Sequence, residues 1–314
     1  MKTYISEFAP KLEVTSFFLV SDPPVVRQSK KKQDYLCLKL FDKTGEVDSR
    51  VWDIPKELDV STLKNCIVKV QGTVDEWKDE LQFQVSKIRL VVEEDGVDMA
   101  DFFERSERDP EEMFTELLTF VDRNVPNIYL GELLGFMLTQ NATNFKLAPA
   151  GKSVHHAYLG GLLEHSLSLC ELAIPLCVKY FLDPSLMIAA CILHDIGKTR
   201  ELSYTMGTRY TVEGNLLGHI SIGMMMVSHA IAELPDFPPN LKMSLLHLIA
   251  SHHGLLEYGS PKIPLTKEAI AFNLCDLMDS KMAMCDRILK KGVDAEGLAD
   301  WSKEIGGMLW RMQE

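Results

Sequence analysis

All nine histidines of this 314-residue chain fall between residues 155 and 253. Five of them occur, with two aspartates, in segments whose other residues have helical apolar spacing. These seven residues are His165, His194, Asp195, His219, His252, His253 and Asp276. Histidine and carboxylate side chains are the ligands that first-row divalent metals prefer. The pattern therefore limits this part of the chain to a fold that brings separate helices to one polar interior.

Residues 151–314 are predicted to form an all-α bundle, with prolines between its helices. The predicted helices lie near 155–180, 185–197, 217–234, 240–253 and 266–291. The second of them, SLMIAACILHDIGK, is apolar all round until it reaches His194 and Asp195. Burying an imidazole beside a carboxylate is costly unless a partner compensates, and a metal ion is the usual partner. A lone helical histidine is more often an ordinary core residue, but the joint occurrence in five segments predicts a metal site.

Residues 1–92 alternate apolar and polar residues in short runs, which predicts a small all-β unit. Five strands are predicted, at about Val14–Val20, Asp34–Phe41, Val47–Trp52, Cys66–Val74 and Leu81–Val91. Hairpin turns are expected at DKTG (42–45) and WKDE (77–80). The connection KELDVSTLK and the strings YLCLKLFDKTGEV, VWD and LQFQV resemble the OB-fold modules that precede nucleases and polymerases. The resemblance implies an OB-fold nucleic-acid-binding barrel.

An OB-fold barrel binds single strands by stacking bases on aromatic side chains beside a cationic groove. The candidates for stacking are Tyr35, Trp52, Trp77 and Phe83, and those for phosphate contact are Lys30, Lys31, Lys32, Arg50 and Lys78. The alternative is that half of these aromatics form the barrel core and that the lysine run is only a loop.

The formal net charge of −12 argues against a nucleic-acid partner until its distribution is considered. Residues 93–116 contain eleven acidic residues and two arginines, whereas residues 1–92 are nearly neutral. We interpret residues 93–150 as a solvated acidic linker followed by two bridging helices. The global charge therefore says little about the substrate.

The apolar runs near the histidines are shorter than the roughly twenty residues that cross a bilayer, and the amino terminus lacks an apolar signal segment. The sequence therefore predicts a cytoplasmic protein without membrane contact. The seven cysteines form no CxxC pair and mostly occupy apolar helical positions, which favours buried free thiols. A homo-oligomer is left open.

The string HDIGK at 194–198, within the wider set of ligands, resembles the HD-domain phosphohydrolases. The segments HHAYLGGLLEH (155–165), SHHGLLEYGSP (251–261) and LCDLMDSKM (274–282) are similar to those of YhaM-type 3′→5′ exoribonucleases. That family also begins with an OB module, and the resemblance covers nearly the whole chain. It implies a phosphodiesterase that shortens single-stranded RNA or DNA from its 3′ end. The implied cofactor is one or two divalent ions, typically manganese, with magnesium, cobalt or iron as alternatives.

The resemblance also implies roles for individual residues. The core ligands would be His165, His194, Asp195 and Asp276, with Asp195 bridging two ions, while His219, His252 and His253 would complete a second metal position. The alternative is a single ion, with these last three histidines donating hydrogen bonds to the scissile phosphate.

Residues beside the ligands are predicted to act on the substrate. Asp195 and Lys198 are the predicted catalytic residues, because Lys198 lies one turn beyond His194 and can reach a phosphate; the alternative is that Lys198 caps its helix. The residues Lys152, His155 and His156 are predicted to hold the 3′-terminal nucleotide; the alternative is that one of the paired histidines packs against Tyr158. Asp279, one turn after Asp276, is predicted to orient a ligand or water.

Two other classes of function fit parts of the pattern. One is an HD hydrolase of deoxynucleoside triphosphates or cyclic dinucleotides. However, GLLEYGSP follows His253 where a GYP signature would stand, and a small substrate needs no OB module. The other is a non-catalytic nucleic-acid-binding protein, against which the intact set of costly buried ligands argues.

Overall fold

The computed structural model describes residues 2–29, 32–78, 80–103, 105–151, 158–203 and 209–312. The chain divides into two compact units. The barrel unit comprises Met1–Glu104 and Ser203–Tyr210, and the helical unit comprises Arg105–Leu202 and Thr211–Glu314. The stretch from 93 to 150, predicted as a linker with bridging helices, is therefore divided between the two units.

Six strands form the barrel unit's sheet. They are β1 (Glu13–Val20), β2 (Val25–Gln28), β3 (Asp34–Asp42), β4 (Gly45–Val51), β5 (Ile67–Trp77) and β6 (Glu80–Leu90). The order is β1-β5-β6-β4-β3-β2, and an additional β1–β3 pairing closes the barrel. The pair β4–β6 is parallel, whereas the other pairs are antiparallel. Without β2, this is the five-stranded Greek-key order of an OB-fold, as predicted.

Alternation places one face of each strand in the barrel core. On β3, Leu36, Leu38 and Leu40 are buried while the residues between them are partly exposed. Both predicted hairpin turns are confirmed, since β4 begins three residues after β3 ends and β6 begins three residues after β5 ends. Strand β2 was not predicted, because all four of its residues are exposed and no alternation marks it.

Phe83 lies in the centre of the barrel core. Its side chain is fully buried, and its ring packs 5.4 Å from that of Phe8 and 6.3 Å from that of Phe18. The prediction that Phe83 stacks on a nucleic-acid base is therefore wrong. The inward direction follows from its place on β6, two residues before buried Val85.

The acidic stretch begins on the barrel and not in solvent. Asp95 accepts hydrogen bonds of 2.7 Å from both terminal nitrogens of Arg89, and one from the backbone N–H of Val92. Phe102 is fully buried against Leu19 and other barrel residues. The Arg89 guanidinium, together with the Val92 N–H, holds the pKa of Asp95 below its usual range. Ion pairing and apolar burial thus fold residues that composition alone assigns to a solvated linker.

Eight helices follow among the described residues. They are α1 (Pro110–Asn124), α2 (Ile128–Leu147), α3 (Gly161–Tyr180), α4 (Pro184–Leu193), α5 (Lys198–Glu201), α6 (Val212–Ala232), α7 (Pro239–Ser251) and α8 (Lys267–Lys290). Several begin at the capping residues that the sequence offers, such as Asp109, Asp183, Thr211 and Thr266. The helical unit is helical as predicted, apart from the irregular segment after α8. The short strands β7 (Leu202–Ser203) and β8 (Arg209–Tyr210) lie between α5 and α6 in the chain.

Helices α3 and α6 are long and apolar enough to cross a membrane by length and composition alone, with mean hydropathies of 1.4 and 1.2. The core helices of water-soluble proteins pass the same test, and 56% of the apolar window of α3 is buried inside the structure. The two helices are therefore weak evidence for a membrane.

The pairing of Asp95 predicts a pH-dependent contribution to stability. Because its pKa in the folded protein is depressed, the contribution is present above the unfolded pKa of about 3.9 and is lost as pH falls through the folded value. The Asp95→Asn variant should therefore have a lower Tm than wild type at pH 7, and the gap should narrow below about pH 4.

Thermal melts followed by circular dichroism from pH 7 to pH 3 would measure that gap. Glu94→Gln, an equal change of charge at an exposed neighbour, is the matched control. A gap that stays constant over the whole range would contradict the assigned role of Asp95.

Candidate metal centre

Five helices bring the seven predicted ligands together in the helical unit. His165 lies on α3, His219 on α6 and Asp276 on α8, while His194 with Asp195 and His252 with His253 directly follow α4 and α7. Three of the side chains, His165, His194 and His252, are almost completely buried.

The carboxylate of Asp195 occupies the middle of the cluster. Its Oδ2 lies 3.2 Å from His194 Nε2, whereas its Oδ1 lies 3.4 Å from His219 Nε2 and 3.7 Å from His252 Nε2. On the far side of His194, His165 Nε2 lies 3.2 Å from Asp276 Oδ1. The two oxygens of Asp195 thus face different groups of histidines.

Two separate ligand sets can be distinguished. The inner set consists of His165, His194 and Asp276, and the outer set of His219, His252 and His253; in each, one ligand atom per residue lies within 4.8 Å of the others. A third such group joins Asp195 to His194 and His252, one from each set. Asp195 therefore bridges the two ligand sets.

The donor atoms of the cluster fit a divalent cation. Among the described residues, none forms a hydrogen bond with the buried Nε2 atoms of His194, His219 and His252 or with Oδ1 of Asp195. A buried polar atom without a partner is costly, and these atoms all point to one interior. An ion coordinated there would satisfy them.

The opposite ring nitrogens are held by hydrogen bonds that select the ligand tautomer. His194 Nδ1 donates to the carbonyl oxygens of Ala190 and Cys191, both at 3.2 Å. His252 Nδ1 donates to Ile249 O at 2.7 Å, and His253 Nδ1 to Tyr258 O at 2.9 Å. A proton on Nδ1 leaves the Nε2 lone pair free for a metal.

In each ligand set, one histidine has a carboxylate next to its Nδ1 atom. Asp279 Oδ2 lies 2.7 Å from His165 Nδ1, and its other oxygen accepts from the Ser168 hydroxyl. Glu201 Oε1 accepts from the backbone N–H of His219 at 3.0 Å and lies 3.3 Å from its Nδ1. The sequence reasoning singled out Asp279 but missed Glu201, whose only signal was its position one turn after Lys198.

Lys198 belongs to the cluster and does not extend into solvent. Its Nζ lies 2.6 Å from Asp195 Oδ2 and also donates to the carbonyl oxygen of Ala150. The side chain is nearly buried. It thus places a cation directly beside the bridging carboxylate.

The shifted pKa values of Asp195 and His252 favour the forms that coordinate a metal, whereas the shifted pKa of His165 favours its protonated form. Burial raises the pKa of Asp195, but Lys198, His194 and His219 outweigh it and hold that pKa well below its usual range. Burial and the nearby His194 lower the pKa of His252. Burial lowers the pKa of His165 as well, yet Asp276 and Asp279 reverse this and raise it to about 9. The bridging carboxylate is therefore ionised and His252 is neutral near pH 7.

Close backbone contact at Gly197 sets the position of α6. A Cβ atom at Gly197 would lie 2.0 Å from His219 O and 2.7 Å from Gly223 N. The glycine of the HDIGK string thus lets the backbone of α6 approach the turn that carries His194 and Asp195.

The barrel unit exposes two of the predicted aromatics, Trp52 and Trp77, and leaves Tyr35 partly exposed. Tyr35 and Trp52 stack with their ring centroids 4.7 Å apart, and the Arg50 guanidinium lies 5.9 Å from the Tyr35 ring. Trp77, at the end of β5, is 64% exposed. The predicted contacts Lys30, Lys31, Lys152, His155 and His156 lie outside the described residues.

Residues 162–281 match the HD domain family model. The matched range contains all seven ligands. The chain therefore carries an N-terminal OB-fold barrel followed in sequence by an HD domain, which indicates a metal-dependent phosphohydrolase.

The chain is also similar to solved OB-fold structures. A solution structure of the second OB-fold domain of replication protein A from Methanococcus maripaludis shares 25% identity over 29% of this chain and 95% of that chain, with a TM-score of 0.25. A crystal structure of a domain of the same protein shares 25% identity over 29% and 96%, with a TM-score of 0.26. Mitochondrial single-stranded DNA binding protein from S. cerevisiae shares 12% identity over 26% and 97%, with a TM-score of 0.21. Such low TM-scores carry no argument, and the OB-fold is identified by its strand order.

Because Gly197 is packed tightly against the backbone of α6, replacing it with a larger residue should weaken metal binding. Gly197→Ala should destabilise the protein by about 1–3 kcal/mol, because the new methyl group must displace backbone. It should also weaken manganese binding, since His219 moves with α6.

Urea denaturation and equilibrium dialysis with manganese would measure the two effects. Gly135→Ala on α2 is the control, because a Cβ there meets nothing within 4 Å, and it should be neutral or stabilising by up to about 1 kcal/mol. Unchanged stability and metal affinity in Gly197→Ala would contradict the packing argument.

Proposed function

We propose that this protein is a metal-dependent 3′→5′ exonuclease that removes nucleoside monophosphates from single-stranded RNA, and also from single-stranded DNA. The observation that carries the proposal is the bridging position of Asp195 between two sets of metal ligands. The presence of an OB-fold barrel on the same chain supports a polymeric substrate, and the YhaM-type motifs support the direction of attack.

The ligand sets have separate tasks in this proposal. His165, His194 and Asp276 would hold one ion, His219, His252 and His253 a second, and Asp195 would contact both. Such ions supply Lewis-acid polarisation of the phosphodiester and a nucleophilic water near neutral pH. Water adds to phosphorus and the bond to the 3′ oxygen of the preceding nucleotide breaks, leaving a 3′-hydroxyl on the shortened strand.

Lys198 contributes a fixed positive charge. Its amine lies 2.6 Å from Asp195 Oδ2, beside the position of the reacting phosphate in this proposal. A preorganised cation stabilises the negative charge that develops on phosphoryl oxygens during attack.

The barrel would hold the strand that the helical unit shortens. Tyr35, Arg50 and Trp52 lie on or next to β3 and β4, and Trp77 lies at the β5–β6 hairpin. These are the strand face and the loop with which OB-folds bind oligonucleotides. The stacked pair of Tyr35 and Trp52, with Arg50 beside it, offers both a surface for bases and a charge for phosphate.

The activity is tested with 5′-labelled single-stranded RNA, single-stranded DNA and a panel of nucleotides in manganese. Wild type should produce a ladder of products shortened one nucleotide at a time. Asp276→Asn should lose about 100-fold or more in rate, since even outer-shell changes at metal sites cost about 10–100-fold.

Asp286→Asn is the matched control, because Asp286 is exposed on the same helix, and it should keep the wild-type rate. Release of triphosphate, or cleavage of cyclic dinucleotides alone, would overturn the exonuclease proposal. The relative rates on RNA and DNA report whether a contact with the 2′-hydroxyl contributes.

The role of the barrel is tested by measuring RNA affinity in proteins that also carry Asp276→Asn, in which cleavage should be slow. Trp77→Ala should weaken the affinity for single-stranded RNA by roughly 5- to 150-fold, the equivalent of about 1–3 kcal/mol for one stacked base. Trp301→Ala is the control, because Trp301 is 63% exposed, much like Trp77, but lies in the helical unit. Equal affinities of the two variants would exclude Trp77 from the binding surface.

A further inference from the structure

The two ligand sets differ in how firmly they are enclosed. In the inner set, His165 and His194 are fully buried. In the outer set, the His219 side chain is 16% exposed and His253 is partly exposed. Asp276 of the inner set is 13% exposed and His252 of the outer set is buried, so the inner set has two fully buried ligands and the outer set one.

A break in α6 directly precedes His219. Gly218 has φ 70° and ψ 158°, so the helix is interrupted there and a second helical stretch starts. The first N–H groups of a helix have no partner within it. The backbone N–H of His219 is such a donor, and it donates to Glu201 Oε1 at 3.0 Å.

The same carboxylate also faces the ring of His219. Glu201 Oε1 lies 3.3 Å from His219 Nδ1, on the opposite side of the ring from Asp195, which lies 3.4 Å from Nε2. A carboxylate behind a ligating imidazole fixes the ring orientation and the tautomer. One oxygen of Glu201 thus holds both the backbone and the side chain of His219.

Glu201 is itself fixed by its backbone. Its carbonyl oxygen accepts from Thr211 N at 2.9 Å, and a Cβ at Gly214 would lie 2.2 Å from that same oxygen. The start of α6 is therefore packed directly on Glu201. The backbone of Glu201 is thus held against the first stretch of α6, and its carboxylate reaches across the break at Gly218 to His219.

We propose that Glu201 is the positioning residue of the outer metal position, and that it sets the affinity of that position separately from the inner one. Asp279 has the corresponding role behind His165. This inference rests on the two-ion form of the proposed function. It assigns a role to a residue that contacts neither substrate nor ion.

The test compares manganese binding to wild type, Glu201→Gln and Asp279→Asn. Equilibrium dialysis over a range of free manganese, with metal counted by mass spectrometry, gives the affinities of the two positions. Electron paramagnetic resonance separately detects the coupled signal of a manganese pair. No nucleic acid is present, so the result does not depend on nuclease activity.

Wild type should bind two ions per chain. Glu201→Gln should bind the first ion as wild type does and the second about 10–100-fold more weakly, with loss of the paired signal at intermediate manganese concentrations. Asp279→Asn is the matched control, since it removes the same charge behind the other set, and it should weaken the inner position.

A second pair of variants separates positioning from general destabilisation. His219→Ala removes the ligand itself and should abolish the second ion, and adding Glu201→Gln to it should have no further effect on metal binding. Thermal melts of the metal-free proteins report any loss of fold. Glu201→Asp, which keeps the charge on a shorter side chain, should give an intermediate affinity for the second ion.

Three results would overturn the inference. They are equal weakening of both ions in Glu201→Gln, unchanged binding of the second ion in that variant, and a single ion in wild type. If two ions bind as expected but no strand is shortened, the exonuclease proposal fails and the role of Glu201 stands.

Discussion

The buried negative charge of Asp195 determines the arrangement of the helical unit. An ionised carboxylate removed from water costs several kcal/mol unless other groups compensate. The compensation comes from three separate elements. Lys198, at the start of α5, places its ammonium 2.6 Å from Oδ2, while His194 after α4 and His219 on α6 place ring nitrogens within 3.4 Å of the carboxylate, where together with it they would hold a cation. The helices converge because no single helix could supply these partners.

At the ends of α4 and α7, a hydrogen bond from a histidine ring both gives a helix carbonyl a partner and orients a metal ligand. The last carbonyl groups of a helix lack partners within it. His194 and His252, each at the end of its helix, donate from Nδ1 to the late carbonyls of Cys191 and Ile249, which turns Nε2 inward. The same hydrogen bonds that end α4 and α7 therefore orient two metal ligands.

The metal cluster could be predicted from the sequence, because ligand-type residues interrupt apolar faces at helical spacing. The partners behind the ligands were only partly predictable. Asp279 shares a helix face with Asp276, so periodicity finds it, whereas Glu201 meets His219 only because α6 breaks at Gly218. No periodic pattern encodes a contact that depends on an interruption.

In the barrel unit, too, only some of the structural features could be predicted from the sequence. Alternation predicted its five main strands, but β2 has no buried side to mark it. Phe83 was misassigned because aromatic type was given more weight than its inward position on β6. The acidic residues near Asp95 appeared to be solvated, since charge composition does not reveal that Arg89 lies opposite.

The hydrogen bond between Glu201 and Thr211 distinguishes two kinds of change in chain length by their effect on the cluster. Helix α5 ends at Glu201 and α6 begins after Thr211, whose backbone N–H donates to Glu201 O at 2.9 Å. Because this contact joins the two residues directly, a change in the number of residues between them need not move the cluster. One residue added within α4 would instead rotate His194 and Asp195 by about 100°, the angle per residue of an α-helix. The cluster is thus more sensitive to the register of α4 than to the number of residues between Glu201 and Thr211.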